Sequence, residues 1–284
     1  MSEQRRQQAE QLLEEAEELQ SEIVQQMEAA LTPTEWRRLK LDWENCLKSI
    51  EPLRIELGLP LLPRTEPPDY YAAKRKHLYK KFSDHSGFMR DRLESFVGRA
   101  SELADIQQQI TEKLTTGGYI TITGQAGQGK SSVIAKLVQQ HIQQANDDDS
   151  KIAYHFIPFN PGPGHQVNLL RNLMARLILK YDLSDIYVAS ESRPTLRDFF
   201  PRLLSELVAK GGQEVIFIDG LDQLEEEQSG TRDLSFLPDK SHLPENVVFV
   251  LGTRFNDTLK PLELLLLQQV SINIPQQKVI LRLV

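Results

Sequence analysis

The first 31 residues contain no Gly or Pro, and their apolar side chains recur at Leu12, Ala16, Leu19, Ile23, Met27 and Ala30. Spacings of three and four are the period of a helix with one apolar stripe. Such a stripe serves either as one face of a small bundle or as a short coiled-coil seam. Thr32-Pro33-Thr34-Glu35 reads as a second helix start, with Thr32 as cap, Pro33 in the first turn and an acid at the positive end. The helix that follows carries Trp36, Leu39, Leu41, Trp43, Leu47 and Ile50. The prolines of LGLPLLPRTEPPDYY (57–71) then break regular structure and mark a connector. Residues 72–93 read as helical again and include the basic run AAKRKHLYKK.

At Phe96 the pattern changes. Short apolar runs alternate with helical periods: YITIT (119–123), IAYHFI (152–157), VIFID (215–219), VVFVLGT (247–253) and VSINI (270–274), with helices over 131–143, 167–180 and 196–209. Near-continuous Val, Ile and Phe mean strands buried on both faces, hence a parallel sheet. The predicted architecture is a doubly wound α/β fold with helices on both faces, at 95–284, preceded by a smaller all-α region at 1–94. No internal repeat is visible.

Composition narrows the function classes. The formal net charge of −7 argues against nucleic-acid binding by the surface as a whole. The basic run from Lys74 to Lys81 reads as a solvated helix face, with an anionic partner as the alternative. Cys46 is the single cysteine, so no internal disulfide forms, and a lone Cys on a helical pattern is read as a small core residue. The N-terminus is polar and unlike a secretory signal, and the greasiest run, Leu264 to Leu267, is far too short to span a bilayer. The expectation is a cytoplasmic protein without a membrane partner.

The segment Gly124-Gln125-Ala126-Gly127-Gln128-Gly129-Lys130-Ser131 fits the pattern G-x-x-x-x-G-K-[ST] in full. A buried strand enters it and a helical period leaves it, which is the context a phosphate-binding loop requires. Glycines let successive backbone N–H groups aim into one concavity, and the following helix adds the positive end of its dipole. Lys130 is expected to reach the β- and γ-phosphates, Ser131 to bind Mg²⁺, and Ser132 to bond a phosphate oxygen nearer the sugar.

Such a loop needs a second metal-ordering group on a neighbouring strand. In EVIFIDGLDQLEEE (214–227), four apolar residues lead into Asp219 at a strand's carboxyl end, where open α/β sheets bind ligands. Asp219 is assigned to Mg²⁺, and Gly220 to the tight turn after it. Asp222 either polarises the attacking water or caps a helix. The run NVVFVLGTR ends in Gly252-Thr253-Arg254 at the same sheet edge, and Arg254 either contacts the γ-phosphate or is a surface residue.

On these residues the sequence resembles the STAND class of signal-transduction NTPases, nearest its NACHT-like branch. FVGRASELADI (96–106) looks like the family's opening motif, DGLDQ (219–223) is similar to its D-G-L-D-E, and LGTR (251–254) to its sensor motif. IAYHFIPFNPG with the LLRNLMARLI helix resembles its second strand and helix. The likeness covers roughly residues 95–275 and implies an ATP-driven switch, whose nucleotide state controls self-association and an N-terminal effector or adaptor module. By resemblance, Val97, Gly98 and Arg99 lie near adenine and ribose, Lys130, Ser131 and Asp219 serve phosphate and metal, and Arg254 is the sensor. Two departures stand out. Gln223 replaces the last acid of D-G-L-D-E, which implies slow hydrolysis. The family normally continues with a helical lid, a winged helix and a repeat array, whereas this sequence ends at Val284 soon after the fifth strand, so a truncated core with an open adenine side is expected.

The functional expectation is a slowly hydrolysing ATPase that binds ATP or ADP with Mg²⁺ and recruits a protein partner through its N-terminal helices. The alternative is a non-catalytic interaction protein with a vestigial core. A GTPase is disfavoured because no Asn-Lys-x-Asp or Thr-Lys-x-Asp is present to read guanine.

Overall fold

The computed structural model describes residues 2–30, 33–60, 70–94, 96–224, 232–239, 242–254 and 269–273. Thr32, most of the connector, the Leu264–Leu267 run and the tail QQKVILRLV lie outside the described residues. The chain divides into two compact units, residues 1–80 with 184–186, and residues 81–183 with 187–284.

The first unit is built on a helical hairpin, α1 (Glu3–Ala29) against α2 (Pro33–Glu56), with α3 (Tyr70–Tyr79) packed on α1. The Ser2 side chain caps α1 by accepting from the Arg5 N–H. The core holds Leu13, Ile23, Met27, Ala30, Leu39, Trp43, Cys46 and Ile50. It corrects the expected stripe, because Leu13 and Ala9 turn inward while Leu12 and Leu19 stay about half exposed. The helices α2 and α3 together cover only part of the circumference of α1. Leu41 is likewise exposed, two residues from buried Leu39 and so on the opposite helix face. Cys46 donates to the Ala16 carbonyl at 3.1 Å, and burial raises its pKa, as suits a thiol that packs rather than reacts.

The second unit is a five-stranded sheet in the order β2-β3-β4-β1-β5, with every neighbouring pair parallel. The strands are β1 (Gly118–Thr123), β2 (Tyr154–Phe156), β3 (Glu214–Asp219), β4 (Val247–Gly252) and β5 (Gln269–Asn273). All residues of β1, β3 and β4 are buried, as the unbroken apolar runs predict. One face carries α4 (Ser86–Glu94), α5 (Ala100–Leu114) and α6 (Lys130–Gln144), which bury Met89, Ile106 and Ile134 against Ile120, Phe217 and Val250. The other face carries α7 (His165–Tyr181) and α8 (Arg193–Ala209), where Phe200 of α8 meets Phe249 of β4 edge to face. The doubly wound α/β fold is therefore the observed one.

Residues 72–93, expected as one helix, are two, α3 and α4, interrupted at residues 80–85. α4 buries Met89 in the sheet unit's core, and the compact units divide after Lys80.

The interrupting segment ends at a buried histidine cluster. His85 Nε2 lies 3.3 Å from His155 Nδ1, and His155 Nε2 lies 3.0 Å from His165 Nε2. The Asn172 amide nitrogen bonds both the Tyr154 carbonyl and His155 Nδ1, which makes that nitrogen an acceptor. His155 then carries its proton on Nε2 and donates to His165, while His85 donates from its own Nε2. Arg176 closes the cluster, donating to the Asn172 side chain and to the carbonyls of Asp149 and Ile152. Burial, with Arg176 adding to it, lowers the pKa of His85 to about 4.

The sign of the pH dependence follows. The unfolded chain takes up the His85 proton near pH 6.5, and the folded chain only near 4, so stability is lost as pH falls through that window. We expect His85 to account for about 2 kcal/mol of lost stability at pH 5. Amide exchange in β1, β3 and β4 at pH 7.5 and 5.0 measures it, and His85→Gln should flatten the dependence.

Candidate active site at the carboxyl end of the sheet

Strand register sets the floor of the site. Phe156 pairs with Asp219, Asp219 with Gly252, and Gly252 with Ile122, so β2, β3, β4 and β1 reach one level side by side. The loops that leave this line are the ones the sequence singles out. They bound a cleft of about 340 Å³ whose lining includes Ala126, Gly127, Gly129, Lys130, Ser131, Ser132, Asp219, Asp222 and Arg254.

Gly129, at φ 85°, caps α6 in the left-handed region, which turns the loop directly into the helix. The Lys130 ammonium folds back to the Gly124 and Gln125 carbonyls at 2.8 and 2.9 Å. Burial pushes its pKa down, opposed by Asp222 and Asp219. Asp219 is buried, and enclosure raises its pKa. The neighbouring Ser131 hydroxyl, Lys130 and Arg92 pull the pKa back. Gly252 makes room for this carboxylate, since a Cβ there would stand 2.1 Å from Asp219 Oδ1.

A divalent cation fits this donor set. Ser131 and Asp219 offer hard oxygen ligands on the wall of one cleft, and the enclosed carboxylate lacks an ion-pair partner among the described residues. No group of three or more His, Cys, Asp or Glu able to hold a metal occurs among the described residues, so remaining ligands would come from nucleotide oxygens and water.

Asp222 lies within a turn capped by Gly220 and is engaged by its neighbours. It sits in a 3-10 turn, Leu221–Gln223, and its carboxylate accepts from the Arg254 backbone N–H at 3.1 Å and faces Arg254 Nε at 3.2 Å. The Gln223 amide donates to the same carboxylate at 2.6 Å. Aspartate and arginine thus form one clasp on the cleft wall.

The three residues assigned to adenine and ribose are arranged differently from the phosphate group. Val97 is 77% exposed, and neither it, Gly98 nor Arg99 lines the cleft. The Arg99 guanidinium donates to the Gln128 carbonyl at 2.9 Å and to Glu102 at 3.1 Å, tethering the loop from outside. Gln125 and Gln128 bond each other across the loop, backbone N–H to side-chain oxygen. Phe88 and Arg92 of α4, which no motif includes, line the cleft, as do Ile157 and Phe159 of IAYHFIPFNPG, for which the sequence implies no site role. Phe88 and Arg92 stand four apart on one helix face, a signal that only the fold gives meaning.

A parallel sheet whose glycine-rich G-x-x-x-x-G-K-S loop, enclosed strand-end carboxylate and strand-end arginine share one cleft is the fold of a P-loop NTPase. The comparison with protein families agrees: the chain belongs to the AAA ATPase domain family, whose profile matches residues 95–250. A search among curated proteins finds no match. No helix among the described residues is long and apolar enough to cross a membrane.

Replacing the enclosed carboxylate separates stability from function. Asp219→Asn should stabilise the ligand-free chain by about 1 kcal/mol or more at pH 7, because a buried charge without a counter-ion is removed. The gain should vanish below the usual carboxylate range, where Asp219 is protonated too. The same variant should lose the Mg²⁺ dependence of nucleotide binding, and thermal melts with and without Mg-ATP measure both effects.

Proposed function

We propose that this protein is a nucleotide-dependent switch that binds Mg-ATP and hydrolyses it slowly, of the STAND class and near its NACHT-like branch. The observation that carries the reading is that Lys130, Ser131 and the enclosed Asp219 carboxylate line one cleft. Phosphate and metal are thereby served in one cleft. Support for the branch comes from DGLDQ and LGTR, whose Asp222 and Arg254 meet in a clasp that nucleotide can open. Binding draws Lys130 from its two carbonyls to phosphate, and a γ-phosphate competes with Asp222 for Arg254.

Slow turnover follows from the same clasp. Gln223 stands where the branch carries an acid, and its amide, 2.6 Å from the Asp222 carboxylate, still holds that group once phosphate has drawn Arg254 away, so Asp222 is a weak base for the attacking water. This also favours the second reading, an interaction protein that binds nucleotide without turning it over. Under either reading the N-terminal hairpin is the recruiting surface for a protein partner, self-association follows the nucleotide state, and the cytoplasm is the working compartment.

Lys130→Ala should weaken Mg-ATP binding tenfold or more, on the order expected for a lost charge-assisted bond to phosphate. Phosphate release by the parent chain should be about 10⁻² per second or slower, the regime of unassisted P-loop switches. Calorimetric titration with steady-state phosphate release tests both. Equal binding by parent and variant would remove the phosphate assignment, and binding without any release would select the non-catalytic reading.

A further inference from the structure

The cations of the cleft are mostly occupied. Lys130 is held by two carbonyls and Arg254 by Asp222, while Arg99 outside it holds Glu102 and Gln128. Arg92 differs. It lines the cleft from α4, is exposed, and makes no hydrogen bond or ion pair with another described residue. Its guanidinium rests on the Phe88 ring, 4.9 Å from the centroid. Phe88 in turn packs on Phe156, with ring centroids 4.9 Å apart, and Phe156 is the register partner of Asp219. This chain of contacts fixes Arg92 above the β2–β3 edge of the cleft, on the side of the metal carboxylate. Arg254 comes from β4, on the other side of β3.

We propose that Arg92 is a terminal-phosphate ligand supplied from within the same chain, and that it distinguishes a nucleoside triphosphate from a diphosphate. The inference rests on the nucleotide reading above and assigns a residue that no motif marks. Three observations support it. A guanidinium on an aromatic shelf is held without being neutralised, which suits a group waiting for a planar set of oxygen acceptors. Its charge already acts on Asp219, which places it within electrostatic reach of that carboxylate. Finally, α4 packs directly on α6, the helix that begins with Lys130, so its position is tied to that of the phosphate loop.

The test compares Mg-ATP, as a slowly hydrolysed analogue, with Mg-ADP on the full chain and on Arg92→Ala, Arg92→Lys and Arg90→Ala. Arg90 lies on the same helix, is exposed, and does not line the cleft. The expected result is a loss of triphosphate affinity of about tenfold or more in Arg92→Ala, with diphosphate affinity within about twofold of the parent. Arg92→Lys should recover part of it, since charge is kept and the planar fork is not. Arg90→Ala should change neither. Equal losses for both nucleotides would overturn the assignment and leave Arg92 as a prop for Phe88, as would no loss at all. The Lys130→Ala control separates the two levels. If the parent binds nucleotide and Lys130→Ala does not, the nucleotide reading stands whatever Arg92 does. If the parent binds neither nucleotide, both fall together.

Discussion

A carboxylate enclosed at the end of a parallel strand is the constraint around which this protein is organised. Asp219 is buried, and its burial favours the neutral form, yet the role toward Mg²⁺ proposed for it needs it charged. The fold reconciles the two by bringing the Ser131 hydroxyl, Lys130 and Arg92 within electrostatic range. It also keeps the adjacent position on β4 free of a side chain, at Gly252. Level strand ends, a glycine on β4 and a helix that opens with Lys130 and Ser131 are each needed for that one group to be tolerated.

Much of this was legible in the sequence because the signals are local. The loop from Gly124 to Ser131, the apolar run into Asp219 and the run into Thr253-Arg254 each lie within about ten residues, and the strands around them are apolar enough to predict a sheet buried on both faces. Their convergence follows from parallel topology alone, since every strand delivers its carboxyl end to the same edge. Less legible was anything set by packing between distant segments. The stripe on α1 was misread at Leu12 and Leu19 because a period tells which residues share a face, not how wide a face the partner covers. The role of α4 was hidden for the same reason. Its boundary with α3 is set by His85 reaching His155, seventy residues away, and by Met89 finding the sheet core.

The two sides of the cleft are therefore specified by different physics. On the β1–β4 side, backbone geometry and register position Lys130, Ser131 and Arg254 with little need for long-range packing. On the β2 side, the wall is made by side-chain contact: Phe88 on Phe156, and the loop bearing Ile157 and Phe159, whose ends are joined by the His155–His165 hydrogen bond. The buried histidine cluster links both parts of that wall, because His85 immediately precedes α4 and His155 lies within β2.

This division bears on how a ligand would be felt. In the cleft the principal cations are satisfied internally, Lys130 by carbonyls and Arg254 by Asp222. Phosphate must compete for groups that already have partners, so the binding free energy is a difference between two sets of hydrogen bonds and not a simple gain. What phosphate displaces is then released to act elsewhere: two loop carbonyls, and the Asp222 carboxylate with its Gln223 neighbour. A site that stores its charges in mutual contacts converts ligand binding into rearrangement of the turn at 221–223, whereas a site with free charges would bind and remain as it was. That difference is the physical content of the switch proposed here.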